Sequence, residues 1–156
     1  LYAETLRIRR RVLGNDHPAV AASLDGLAAA LVKSERWTEA EPLCREAGSI
    51  LAARLPPEHR FGKLNANLLG AILCGLGRFS EAEPLLIESY EALRDDPGLP
   101  IYDRKDMLER IVRLYASWHA AEPSKDYDSK GARYRMLLEN MSANTAVQPI
   151  SQQAPP

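Results

Sequence analysis

The run Glu39-Ala40-Glu41-Pro42-Leu43 recurs as Glu81-Ala82-Glu83-Pro84-Leu85, a period of 42 residues. The same offset pairs Arg36-Trp37 with Arg78-Phe79, Leu27 with Leu69, Leu31 with Leu73 and Leu51 with Leu93. It reaches back to pair Leu1 with Leu43 and Glu4 with Glu46. It reaches forward to pair Leu27 and Leu69 with Ile111. A unit this short cannot bury its apolar face alone, so the repeats must stack and share one continuous core.

Spacing within each unit sets the local structure. Leu24, Leu27, Ala28 and Leu31 follow the i, i+3, i+4, i+7 stripe of an amphipathic helix, as do Leu69, Ile72, Leu73 and Leu76. Thr38-x-x-Glu41 and Ser80-x-x-Glu83 have the form of capping boxes that open a second helix. Pro42 and Pro84 lie in its first turn, where a missing N–H costs least. Gly14, Pro56-Pro57 and Pro97-Gly98 punctuate the units. No alternating strand pattern occurs, so the expected class is all-α.

These signals predict a helix over 1–13, then helix pairs over 18–34 with 38–54 and 60–76 with 80–94. A third pair is expected over 103–119 and 132–140, separated by an insertion at 120–131. The repeat boundaries follow: 1–13 as the second helix of a truncated upstream repeat, 14–55 and 56–97 as full repeats, and 98–141 as a degenerate capping repeat. The chain opens inside an already periodic helix, which favours a fragment. Residues 142–156 hold three prolines, three glutamines and no charged side chain, the composition of a disordered tail.

Composition narrows the functional classes. The 156 residues are 46% hydrophobic and 26% charged, with a net charge of -1. Near-neutrality offers no basic stripe for nucleic acid, and no apolar run reaches the roughly 18 residues of a membrane span. The basic cluster Arg7, Arg9, Arg10 and Arg11 reads as a solvated convex face. Cys44 and Cys74 are too widely spaced for a CxxC site and read as buried small hydrophobes. His17 and His59, one period apart, cannot share a zinc ion whose ligands sit about 2 Å from it. They read as loop residues that cap or cross-pack the repeats. Gly70-x-x-x-x-Gly75 lacks the Lys-Ser/Thr ending of a phosphate loop. No catalytic residue, metal or cofactor is expected, and no small-molecule substrate; a cytoplasmic location is expected.

The run Leu13-Gly14-Asn15-Asp16-His17-Pro18-Ala19-Val20-Ala21, with Ser23-Leu24-x-x-Leu27-Ala28 and Glu39-Ala40-Glu41-Pro42-Leu43-x-x-Glu46-Ala47, resembles tetratricopeptide repeats of the kinesin-light-chain type. That resemblance implies a right-handed α-solenoid whose close helix contacts fall on Ala28 and Gly70, Ala40 and Ala82, and Ala47 and Ser89. Trp37 and Phe79 fall on its turn position and Tyr115 on a core aromatic. It weakens in the third unit, where Val112 takes a small position and Ala121 stands in the slot of Trp37 and Phe79. It also implies a concave groove, lined by the first helix of each pair, that holds a peptide or partner helix. The polar groove position falls on Asp25, Asn67 and Glu109, with Arg113 as a fourth contact. Two acids there would favour a basic or N–H-rich ligand. The stretch Leu76-Gly77-Arg78-Phe79-x-Glu81-Ala82-Glu83-Pro84-Leu85-Leu86, with Arg110-x-Val112-x-Leu114-Tyr115-x-x-Trp118, is also similar to the C-terminal repeats of some bacterial serine/threonine kinases. This implies, as an alternative, a non-catalytic recruiting region of such an enzyme, although the kinase motifs themselves are absent from this sequence.

Overall fold

In the computed structural model, residues 2–146 are described, and they form seven helices. These are α1 (Tyr2–Leu13), α2 (Pro18–Lys33), α3 (Trp37–Arg54), α4 (Arg60–Gly75), α5 (Phe79–Leu93), α6 (Ile101–Ala121) and α7 (Tyr127–Ala146). Among the described residues there is no strand. The strongest packing joins α2 to α3, α4 to α5 and α6 to α7, and each pair then packs on the next through α3–α4 and α5–α6. First helices also touch one another, α2 with α4 and α4 with α6. The chain is an all-α helical-repeat solenoid.

The turn inside the first two pairs shows why they share a length. Arg36 N–H donates to the Leu31 carbonyl and Glu35 N–H to Val32, while Arg78 donates to Leu73 and Gly77 to Cys74. This is the Schellman pattern, which satisfies the last free carbonyls of a helix and places the residue after the cap in the left-handed region. Glu35 and Gly77, one period apart, take that conformation with φ of 57° and 75°.

The second helices are capped two residues earlier than the capping boxes predict. Arg36 and Arg78 are the N-cap residues, and neither makes a side-chain cap. Thr38 and Ser80 therefore lie within the helix. Arg36 instead pairs with Glu39 and Arg78 with Glu81, each at 2.7 Å. Glu41 is drawn to Arg45 and Arg78 rather than back to the cap. Starting early places an aromatic at the first helical position, where it covers the end of the next repeat's first helix, Trp37 at Gly75 and Phe79 at Trp118. The Trp37 ring lies so close over Gly75 that a Cβ there would collide with it.

The third pair departs from the predicted insertion. Helix α6 runs on to Ala121, and α7 starts at Tyr127, ahead of the expected 132. Stacking accounts for the change. Tyr127 lies 4.1 Å from Trp118 between ring centroids, and Trp118 stacks on Phe79 at 5.8 Å. Tyr127 thus takes the place that Trp37 and Phe79 hold at the start of their helices, six residues beyond Ala121. Helix α7 also continues through 142–146, where a tail was expected; the rest of that tail, 147–156, lies outside the described residues.

Burial follows the repeat. Ala28, Ala40, Ala47 and Ala82 are fully buried, and a Cβ on Gly70 would strike Leu86. Helix α1 contributes Leu6 to a cluster with Val20, Leu24, Ile50 and Leu51. Three of its four clustered arginines are engaged: Arg9 donates to Ser23 Oγ and the Ala19 carbonyl, Arg10 pairs with Glu46, and Arg7 with Glu4.

Candidate functional site

A groove runs along the first helices, with α4 as its floor and α2 and α6 as its walls. Two adjoining cavities, of about 400 and 280 Å³, compose it and share Arg110. The floor is Leu64, Leu68, Ala71 and Gly75, at helical spacing along one face. The α2 wall contributes Asp25, Ala29 and Val32. The α6 wall contributes Asp103, Asp106, Arg110, Arg113 and Ser117. Shifted by 42, the floor positions become 106, 110, 113 and 117. The same face of the repeat therefore lines the groove in both helices, small or apolar in α4 and, in α6, charged at three positions with Ser117 at the fourth.

The position expected to hold a peptide behaves differently. Asp25 Oδ1 accepts from Asn65 Nδ2 at 2.7 Å, and that amide also donates to the Cys44 carbonyl at 2.9 Å. Asn67 is fully buried: its nitrogen donates to Ser89 Oγ at 2.9 Å, and its oxygen accepts from Arg110 at 2.6 Å. Glu109 is exposed, 4.0 Å from Lys105, and lines neither cavity. Asp25 and Asn67 are both tied to the next repeat, Asp25 from the edge of the groove and Asn67 from beneath it. Asp25 meets α4 and Asn67 meets α6, while Glu109 has no following first helix among the described residues. Of the expected four, Asp25 and Arg113 line the groove; Asn67 and Glu109 do not.

Electrostatics divide the groove along its length. Burial pushes the Asp25 carboxyl up to about 6, against the opposing pull of its hydrogen bond from Asn65. Asp103 is also raised, by burial and then by the charge of Asp106. Neither Asp103 nor Asp106 has an ion-pair or side-chain hydrogen-bond partner among the described residues. At the other end, Arg113 lies 5.9 Å from the Trp37 ring centre and 4.0 Å from Glu35. Arg110, partly buried, has its pKa lowered by desolvation. Asp103, Asp106 and Arg110 lie off the 25/67/109 register that the resemblance picks out. Their i, i+3, i+7 spacing, complementary to the core stripe of Met107, Leu108, Ile111 and Leu114, was the available signal.

The remaining candidate groups have local tasks. His17 and His59 each cap a helix, with Nδ1 accepting from Ala19 N–H at 3.1 Å and Phe61 N–H at 3.2 Å. Cys44 and Cys74 are free and buried, and desolvation raises both thiols. Tyr115 is core, its hydroxyl donating to Glu83 at 2.7 Å. Trp37 and Phe79 both pack on the core as expected, and both are half-buried and line the groove as well. Among the described residues no cluster of three or more His, Cys, Asp or Glu could hold a metal, and no helix is long and apolar enough to cross a membrane.

Stacked helix pairs with a shared core and a groove along their first helices define a helical-repeat protein. Residues 1–53, covering α1, α2 and nearly all of α3, match the family model of the tetratricopeptide repeat. Repeats of that family generally mediate protein–protein contacts. No curated protein matches the chain.

Proposed function

We propose that the chain is a non-catalytic interaction scaffold that binds a peptide or partner helix in the groove between α2 and α6. The observation that carries this reading is the α4 floor: Leu64, Leu68, Ala71 and Gly75 form a small and apolar strip flanked by charged walls. Apolar strips at helical spacing accept anchors at matching intervals, the usual mode of helix-in-groove recognition. Ala71 leaves room for the ligand where a larger side chain would fill it, while Gly75 makes room for the Trp37 ring. Both cysteines are buried with thiols raised chiefly by desolvation, and at Cys44 the neighbouring Asp25 charge raises it further, which supports a structural rather than a nucleophilic role.

The test is selection from a random dodecapeptide library displayed on phage, using the full chain as bait. Peptides that bind wild type are then measured against Ala71→Trp, which fills the floor, and Glu88→Trp, which alters an exposed position on α5. The expected result is loss of binding in the first variant only, with both retaining the wild-type helical signal. Binders indifferent to Ala71→Trp would overturn the reading.

A further inference from the structure

We infer that the groove selects a short segment of mixed charge, with a cationic side chain at the end near Asp103 and Asp106 and a carboxylate at the end near Arg113. This rests on the groove-binding reading above and adds the chemistry and polarity of what is bound.

The argument starts from α6. Asp103, Asp106, Arg110 and Arg113 lie at i, i+3, i+7 and i+10, a single face of that helix, and all four line the groove. At about 1.5 Å per residue, Asp103 and Arg113 stand roughly 15 Å apart along the axis, and Asp106 and Arg113 roughly 10 Å. The α2 wall reinforces the acidic end with Asp25, and Glu35 opposes Arg113 only at 4.0 Å between two exposed side chains. Exposed pairs of that kind contribute little, so the basic end keeps most of its positive potential.

Contrast with the outer surface sharpens the point. There Arg36, Arg45, Arg78, Glu39, Glu41 and Glu81 neutralise one another at 2.7–2.8 Å. In the groove the charges are segregated by sign along one helix, and the two aspartates on α6 feel the charge of Arg110 without closing an ion pair with it. Segregated charge flanking an apolar floor gives two complementary contacts to a segment of mixed charge. A wholly acidic segment meets repulsion at Asp103 and Asp106, and a wholly basic one at Arg110 and Arg113. An extended chain advances about 3.3 Å per residue. The matching ligand therefore carries its opposite charges about three to five residues apart, with apolar side chains between them for Leu64 and Leu68.

The dodecapeptide library supplies the probe. Among peptides whose binding is lost in Ala71→Trp, the expected consensus pairs Lys or Arg with Asp or Glu at that separation. Arg113→Glu, at an exposed position, should weaken these peptides about tenfold, the scale of a charge contact that is partly desolvated. Replacing the peptide's acid by Lys should restore binding to that variant. Asp106→Lys should act on the opposite end, with recovery when the peptide's base becomes Glu. Groove-dependent peptides of a single charge sign, or ones unmoved by both charge reversals, would overturn the inference while leaving groove binding intact. Peptides that ignore Ala71→Trp, or a selection that yields no binder, would overturn both.

Discussion

The outer surface at the start of α3 and α5 and the groove along α2, α4 and α6 are built from the same repeat, yet they treat charge in opposite ways. Outside, each N-cap arginine closes on a glutamate three residues later, and Arg78 reaches back to Glu41 of the preceding repeat. Inside, polar groups are either buried in hydrogen bonds between repeats, as at Asn67 and Arg110, or left facing the groove, as at Asp106 and Arg113. The difference teaches where energy and recognition reside. Exposed ion pairs add little to stability, a buried polar junction is costly to break, and a rim charge that is unpaired or only loosely paired is available to a ligand.

The largest expected effect comes from the buried junction. Asn67→Ala removes the acceptor of Arg110 and the donor to Ser89, and should destabilise the fold by about 2–3 kcal/mol, measured by urea unfolding. A loss below about 0.5 kcal/mol would erase the distinction between junction and surface. Next is Asp25→Asn. The carboxyl ionises from 3.8 when unaffected by the fold but only near 6 within it. Stability is therefore greatest when the group is protonated in both states, falls as pH rises from about 4 to 6, and stays reduced above that. The amide keeps an oxygen acceptor for Asn65, so the substitution should stabilise the chain at pH 7 by about 1–2 kcal/mol and flatten this part of the pH profile. Equal slopes in both proteins between pH 4 and 6 would contradict it. On the outer surface, Glu41→Gln should cost at most about 1 kcal/mol, and less in high salt. The smallest effect is expected for Arg113→Ala, within about 0.5 kcal/mol in thermal or urea unfolding. A large loss there would make the groove charge structural and weaken its assignment to a ligand.

Much of the architecture was legible because the 42-residue offset and the leucine stripes are properties of single helices. The histidine caps were legible too, since both follow from local chain geometry. Thr38 and Ser80 misled because a capping box is a local pattern, whereas packing of Trp37 and Phe79 against the next repeat's first helix accompanies the earlier start of those helices. The start of α7 depends on Tyr127 stacking on Trp118, a contact between helices that spacing alone does not reveal. The groove was half legible for a similar reason. Register locates a face of the repeat, but whether that face meets solvent or the next repeat depends on packing, and at Asn67 it meets Arg110.

The junction hydrogen bonds carry a consequence for how such an array can grow. Asp25 is matched to Asn65 in the following unit, and Asn67 to Arg110 in the one after. A tandem copy of the second unit would set Leu68 where Asn67 needs a guanidinium. A first unit placed ahead of the third would offer Asp25 the thioether of Met107, which donates nothing. Each seam thus acts as an address that accepts one successor, and the units cannot be reordered or duplicated without rewriting the seam.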